Sequence, residues 1–185
     1  SNIEVLSFLR LSYRVFEELG LEPGELLSDV GKSLLVKRVT SHLAGELRAF
    51  AANVKKAAFI DEMKSLISEF YQYGITPEAL SAMVAMAEEE PELHRKLKDI
   101  ALVYQGFAES IEGKYLATET VSDVLARVIG ESALVKNCDV FFDGFTGFTP
   151  SQYGLLEKLL LYAGESYMTL TLDPAMAGNS GAEHG

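Results

Sequence analysis

Cysteine occurs once in the 185 residues, at Cys138. A lone thiol excludes an internal disulfide and any metal site built from clustered cysteines, and it suits a reducing compartment, so a cytoplasmic location is expected. Long apolar runs are missing too: no uncharged window reaches the roughly 18 residues a membrane span needs, and no membrane association is expected. The first residues show no basic stretch followed by an apolar one, so no secretory signal is read there. Bases are outnumbered, with 16 Lys and Arg against 27 Asp and Glu and a net charge of -11. That balance excludes a surface that coats nucleic acid along its whole extent. Histidines are few and scattered, His42, His94 and His184, with only the loose pair Glu90 and His94 near helical ligand spacing, so no metal site is expected.

What is present is a chain 48% hydrophobic, long enough to bury one or two real cores. Its charge is uneven: Lys and Arg against Asp and Glu number 8 to 7 in residues 1–60, 4 to 9 in 61–100 and 4 to 11 in 101–185. Contact with a polyanion is therefore expected from the first third, which carries Arg10, Arg14, Lys32, Lys37, Arg38, Lys55 and Lys56. The ends, "SN" and "AMAGNSGAEHG", read as cut edges of a longer protein, with residues 175–185 a flexible tail.

Three short runs have strand composition: 3–8 ("IEVLSF"), 140–143 ("VFFD") and 167–172 ("YMTLTL"). Between the last two, Thr149, Pro150 and Gln152 form a helix start of cap, first-turn proline and capping box, ahead of a stripe of Leu155, Leu156, Leu159 and Leu160. Strand, helix and strand with short links predict a βαβ unit with parallel strands. The interval between the first and second strands is helical in pattern, with helices expected over 9–19, 32–53, 57–73, 77–88, 91–112 and 119–129. The fold class is α/β, a partial parallel sheet with a large all-helical insertion. Its divisions are 1–20 (first strand and helix), 21–136 (helical insertion), 137–174 (remainder of the α/β core) and 175–185 (tail).

Few residues can carry chemistry. Gly31-Lys32-Ser33 ends like a phosphate-binding loop, but the glycine required five positions before Gly31 is Leu26, and no clear strand signal precedes it, only the polar turn "LEPGELLSD". The alternative is a helix start capped by Ser28 or Asp29, with Lys32 solvated near the first turn. A nucleotide-dependent phosphotransferase using this loop is the weaker reading for the same reason. Asp143 ends a strand where nucleotide hydrolases of this layout hold the water shell of Mg²⁺, yet the next residue is Gly144, which offers no carboxylate to activate water. Asp143 either binds a metal or caps the following turn. Ligands of open parallel sheets collect beyond the carboxyl ends of the strands, so Phe8, Arg10, Tyr13, Phe145 and Phe148 are candidate DNA contacts, aromatics for bases and arginine for phosphate or a guanine edge.

The stretch "VFFDGFTGFTPSQYGLLEKLL" resembles the degenerate second helicase motif of the AddB family, the B subunits of bacterial AddAB helicase-nucleases. Active helicases of the UvrD type have Asp-Glu at this strand end; here Asp143 and the Gln152-Tyr153 pair are kept and Gly144 replaces the glutamate. "EVLSFLRLSYRVFEELG" and "YMTLTLDP" resemble further parts of that core. The resemblance implies a partial RecA-like fold and an internal piece of a double-strand-break repair subunit that responds to a recombination hotspot. The partners implied are DNA and the motor and nuclease A subunit. The family's Mg²⁺ and ATP, used by the motor subunit, and its iron-sulfur cluster, in a nuclease domain absent from this chain, imply no cofactor here. The resemblance further implies a piece inactive by itself, serving as a scaffold that scans single-stranded DNA. The alternative is an acidic helical module that docks the motor subunit without touching DNA.

Overall fold

The computed structural model describes residues 3–145 and 147–169. Eight α-helices and four short strands are described: α1 (Phe8–Leu19), β1 (Glu25–Leu26), α2 (Asp29–His42), α3 (Ala57–Gln72), α4 (Pro77–Met86), α5 (Pro91–Ile111), β2 (Tyr115–Leu116), α6 (Val121–Val128), α7 (Ala133–Lys136), β3 (Val140–Phe142), α8 (Pro150–Tyr162) and β4 (Ser166–Met168). Among the described residues no helix is long and apolar enough to cross a membrane.

The βαβ unit is present. β3 pairs in parallel with β4, with Val140, Phe141 and Phe142 opposite Ser166, Tyr167 and Met168. Between them α8 opens with the capping box: Gln152 N donates to Thr149 Oγ1 at 3.3 Å and Thr149 N donates to Gln152 Oε1 at 3.0 Å. Residues 170–172 of the expected third strand, and the tail, lie outside the described residues.

The expected strand over 3–8 is not formed. Ser7 accepts from Arg10 N through its hydroxyl and becomes the N-cap of α1, so Phe8 is already helical. Residues 3–7 carry no regular structure, Ile3 is 93% and Val5 89% exposed, and no described sheet joins this segment to β3. A strand-like composition needs a partner ladder, and none of the described strands lies beside it. The fold is mostly helical with short parallel strands, consistent with α/β.

Two apolar cores organise the helices. The first runs from Leu27 to Ala117 and centres on Ile67, Val103, Tyr104 and Phe107. The second joins Val15 and Phe16 of α1, Val121 and Leu125 of α6, and Phe142, Leu155 and Leu159 of the βαβ unit. The chain enters the first core beside the point where it leaves it, because β1 pairs in parallel with β2, Glu25 opposite Tyr115 and Leu26 opposite Leu116.

Helix α2 is shorter than its apolar pattern suggests, ending at His42 rather than 53. The side chain of Ser28 caps its start, accepting from Gly31 N at 3.0 Å. Its end is dictated from α5: the buried Asp99 carboxylate takes the N–H groups of Arg48, Ala49 and Phe50 at 2.7–3.1 Å, donors that a continuing helix would have spent on its own carbonyls.

The C-terminal end of α1 is fastened to the start of α7. The Glu18 carboxylate accepts from the Ser132 hydroxyl and from Leu134 N, the latter at 3.0 Å. The Ser132 hydrogen bond, the backbone N–H groups of Leu134 and Ala133, and the Lys136 charge together hold its pKa below the ordinary 4.5. A carboxylate depressed on folding stabilises above its unfolded pKa and loses that contribution as pH falls through its folded value. Glu18→Gln is therefore expected to lower the urea midpoint at pH 7, with the gap to wild type closing as pH drops below about 4.5. A gap that stayed constant down to the lowest pH at which both proteins fold would assign the loss to packing.

Candidate functional site

The carboxyl ends of β3 and β4, the first turn of α1 and the first turn of α8 meet at one edge of the second core. Of the expected site residues, three rings converge there. Phe145 and Phe148 stack at 4.8 Å between centroids, and Phe8 lies 5.3 Å from Phe145 and 6.3 Å from Phe148. Phe142 meets Phe145 at 6.4 Å, edge-on. All three of the expected rings are half-buried against the second core, so each presents part of its surface outward and part inward.

A fourth ring completes the cluster. Tyr153 packs edge-on against Phe148 at 5.5 Å and is 57% exposed, the most accessible aromatic of the group. The signal for it is the Gln-Tyr pair itself: once Gln152 is committed to the cap, the next residue on the helix points away from the capped turn. Arg10 stands in the same first turn of α1 as Phe8, but about 200° round the helix from it. It is exposed, with no acidic partner within 4.0 Å among the described residues. Tyr13, exposed on the face of α1 that also carries Glu17, lies in a groove with Glu22 and Glu25, apart from the phenylalanines.

Asp143 follows the last residue of β3 and is exposed; its Oδ1 accepts from Thr169 Oγ1 at 2.5 Å, and the same hydroxyl reaches Phe142 O at 3.3 Å. The carboxylate thus ties the end of one strand to the residue after the other. Gly144 has φ of 74°, a left-handed turn that a β-carbon would strain. Gln152 is spent on the cap. The edge offers one carboxylate, with Oδ1 engaged by Thr169, beside a glycine that supplies no second carboxylate. Among the described residues no group of three or more His, Cys, Asp or Glu is placed to hold a metal ion.

The Gly31-Lys32-Ser33 segment is not a loop at all, and Lys32 is not solvated as a helix-start lysine is expected to be. It lies inside α2 with its side chain 6% exposed; Nζ donates to Ser68 Oγ at 2.8 Å and to Glu119 Oε1 at 2.5 Å. Arg14 is likewise occupied, by Glu4 at 2.8 Å. The basic residues of the first third therefore divide into paired ones and free ones, a distinction that counting charges does not make.

Comparison with known proteins agrees with the family resemblance. The family model described as ADDB, N-terminal matches residues 1–184. The B subunit of the ATP-dependent helicase/deoxyribonuclease of Lachnoclostridium phytofermentans is 44% identical over 183 residues, 99% of this chain and 16% of the relative. The protein of the same description from Desulforudis audaxviator is 37% identical over 174 residues, covering 92% of this chain and 15% of the relative. That of Moorella thermoacetica is 34% identical over 180 residues, 95% and 16% of the two chains. The chain spans about one sixth of the length of these relatives. It belongs to the ADDB N-terminal family.

Proposed function

We propose that this chain is part of the inactive, helicase-like region of a DNA-repair helicase-nuclease subunit, where it acts as a scaffold that contacts single-stranded DNA. The observation that carries the reading is the cluster of Phe8, Phe145, Phe148 and Tyr153 at the carboxyl edge of a parallel strand pair. Rings stack bases without regard to sequence, each stacked base contributing roughly 1–3 kcal/mol, and an unpaired arginine nearby meets phosphate or a guanine edge. A strand-end site with a glycine in place of the water-activating carboxylate has no route to hydrolysis through that position, which suits a scaffold whose partner subunit supplies ATP-driven unwinding. No cofactor is assigned to this part of the protein.

The test uses the intact complex and a duplex with or without the hotspot sequence. Arg10→Ala and Phe148→Ala are expected to reduce hotspot-dependent cleavage products about 5- to 100-fold, the range of one lost base or stacking contact. Unwinding rates should stay near wild type, since neither residue takes part in fuel chemistry. Unchanged hotspot products in both variants would favour the alternative, a helical module docked on the motor subunit without DNA contact.

A further inference from the structure

A second surface, on the opposite side of α1, has a different chemistry. A groove of about 530 Å³ opens between α1, the turn leading into β1 and the start of α6. Its floor is apolar, with Phe16 and Val121 buried there. Its rim carries Glu17, Glu22 and Glu25, and no Lys or Arg lines it. All three glutamates are exposed, and among the described residues none has a basic partner within 4.0 Å. Tyr13, 49% exposed, stands over the groove one helical turn before Glu17, so a ring face and a carboxylate are offered side by side.

This arrangement repels phosphate and suits a cation on an apolar stem. An arginine or lysine can lay its methylenes on the floor, place its charge over the Tyr13 ring and pair with the rim. We propose that the groove receives a basic amphipathic segment of another subunit of the enzyme, one large apolar side chain seated on Phe16 and Val121 and flanked by Lys or Arg facing the glutamates. The groove lies where β1 and β2 join the two cores, so an occupant would touch both and hold them in one orientation. The inference rests on the reading of the chain as part of a multi-subunit helicase-nuclease and does not require the DNA contact.

The experiment uses the full-length subunit and its purified partner subunit. Assembly affinity is measured at low and high salt for wild type and for Glu17→Gln/Glu22→Gln/Glu25→Gln. Three exposed charge pairs contribute modestly each, so a loss of about tenfold at low salt is expected, shrinking at high salt where screening has already weakened the wild type. The variant's melting temperature should match wild type, because the glutamates are exposed and unpaired. In parallel, a photo-crosslinking amino acid at Tyr13 should yield a product with a peptide of the partner that contains Lys or Arg beside an apolar residue. Equal affinities at low salt, or crosslinks confined to DNA, to a second copy of this subunit or to the same polypeptide, would overturn the proposal. Loss of hotspot response in the Arg10 and Phe148 variants with normal assembly, or the reverse, separates the two readings.

Discussion

Replacing Lys32 with alanine is expected to lower the unfolding free energy of the 185-residue chain by about 3–5 kcal/mol, the cost of orphaning one member of a buried ion pair. The ammonium joins three elements: its own helix α2, Ser68 of α3, and Glu119 in the 3₁₀ turn Thr118–Thr120. Glu119 is 19% exposed and among the described residues its Oε2 has no hydrogen-bond partner, so without Lys32 the carboxylate would sit largely desolvated with its charge unbalanced. Replacing both, Lys32→Met with Glu119→Leu, should recover most of the loss, since exchanging a buried pair for well-packed apolar residues is often neutral. Equilibrium urea denaturation reads the difference. A loss under about 1 kcal/mol for the single variant would mean that the pair behaves as an exposed one.

The same pair has a spectroscopic handle. Tyr71 is pushed up to about 12, by burial first and then by the Glu119 charge. Glu119→Gln removes the second cause and leaves the first, so the Tyr71 hydroxyl should ionise at lower pH than in wild type but still above 10.0.

Asp99→Ala should be comparably damaging, by about 3–4 kcal/mol, for a different reason. Here a 2%-exposed carboxylate has no cation within 4.0 Å among the described residues; three successive backbone N–H groups take its place, with Ala49 N closest at 2.7 Å. Charge-assisted hydrogen bonds of this kind are worth about 1.5–3 kcal/mol each, discounted because Arg48 and Ala49 are exposed and their N–H groups can turn to water. The larger consequence is local. The anchored turn delivers Leu47 and Val54 to the first core and packs Phe50, tilted, against Phe59 at 5.2 Å, so its release should uncover these side chains together. Asp99→Asn keeps the volume but turns an amide N–H₂ toward other donors, and should lose more than half as much as alanine. Hydrogen exchange over residues 47–54 is the direct measurement; protection equal to wild type in Asp99→Ala would show that the turn is held by packing.

Local signals are readable where a residue's neighbours in sequence are also its partners in space. The start of α8 is such a case: Thr149, Pro150 and Gln152 complete their capping bonds within one turn. The parallel pairing of β3 and β4 is legible for a related reason, since a short strand-helix-strand unit has few ways to close. The segment 3–8 shows the opposite. Its β-branched, aliphatic and aromatic residues describe a strand, but a strand exists only beside another, whereas the capping hydroxyl of Ser7 acts at once on α1. Strands β1 and β2 cannot be read at all, being two residues each and held by partners some ninety positions apart.

The candidate site divides along the same line. Phe8, Phe145 and Phe148 are picked out by position relative to strand ends, and they meet because the second core brings α1 and the β3–α8 turn together; Tyr13, picked out by the same rule, faces the acidic groove instead, and Arg10 leaves the same turn of α1 as Phe8 on another face, because a helix turns 100° per residue. By itself the sequence determined composition, charge balance, most helix starts, the βαβ unit and the family, all properties carried by short-range spacing or by likeness of residues in order. Only the tertiary structure decided that Lys32 is a buried strut rather than a solvated helix-start lysine, that Asp99 ends α2, and that Tyr13 overlooks an acidic groove. Those outcomes depend on Glu119, Arg48 and Val121, residues distant in the chain, and burial is a property of what the fold places around a side chain.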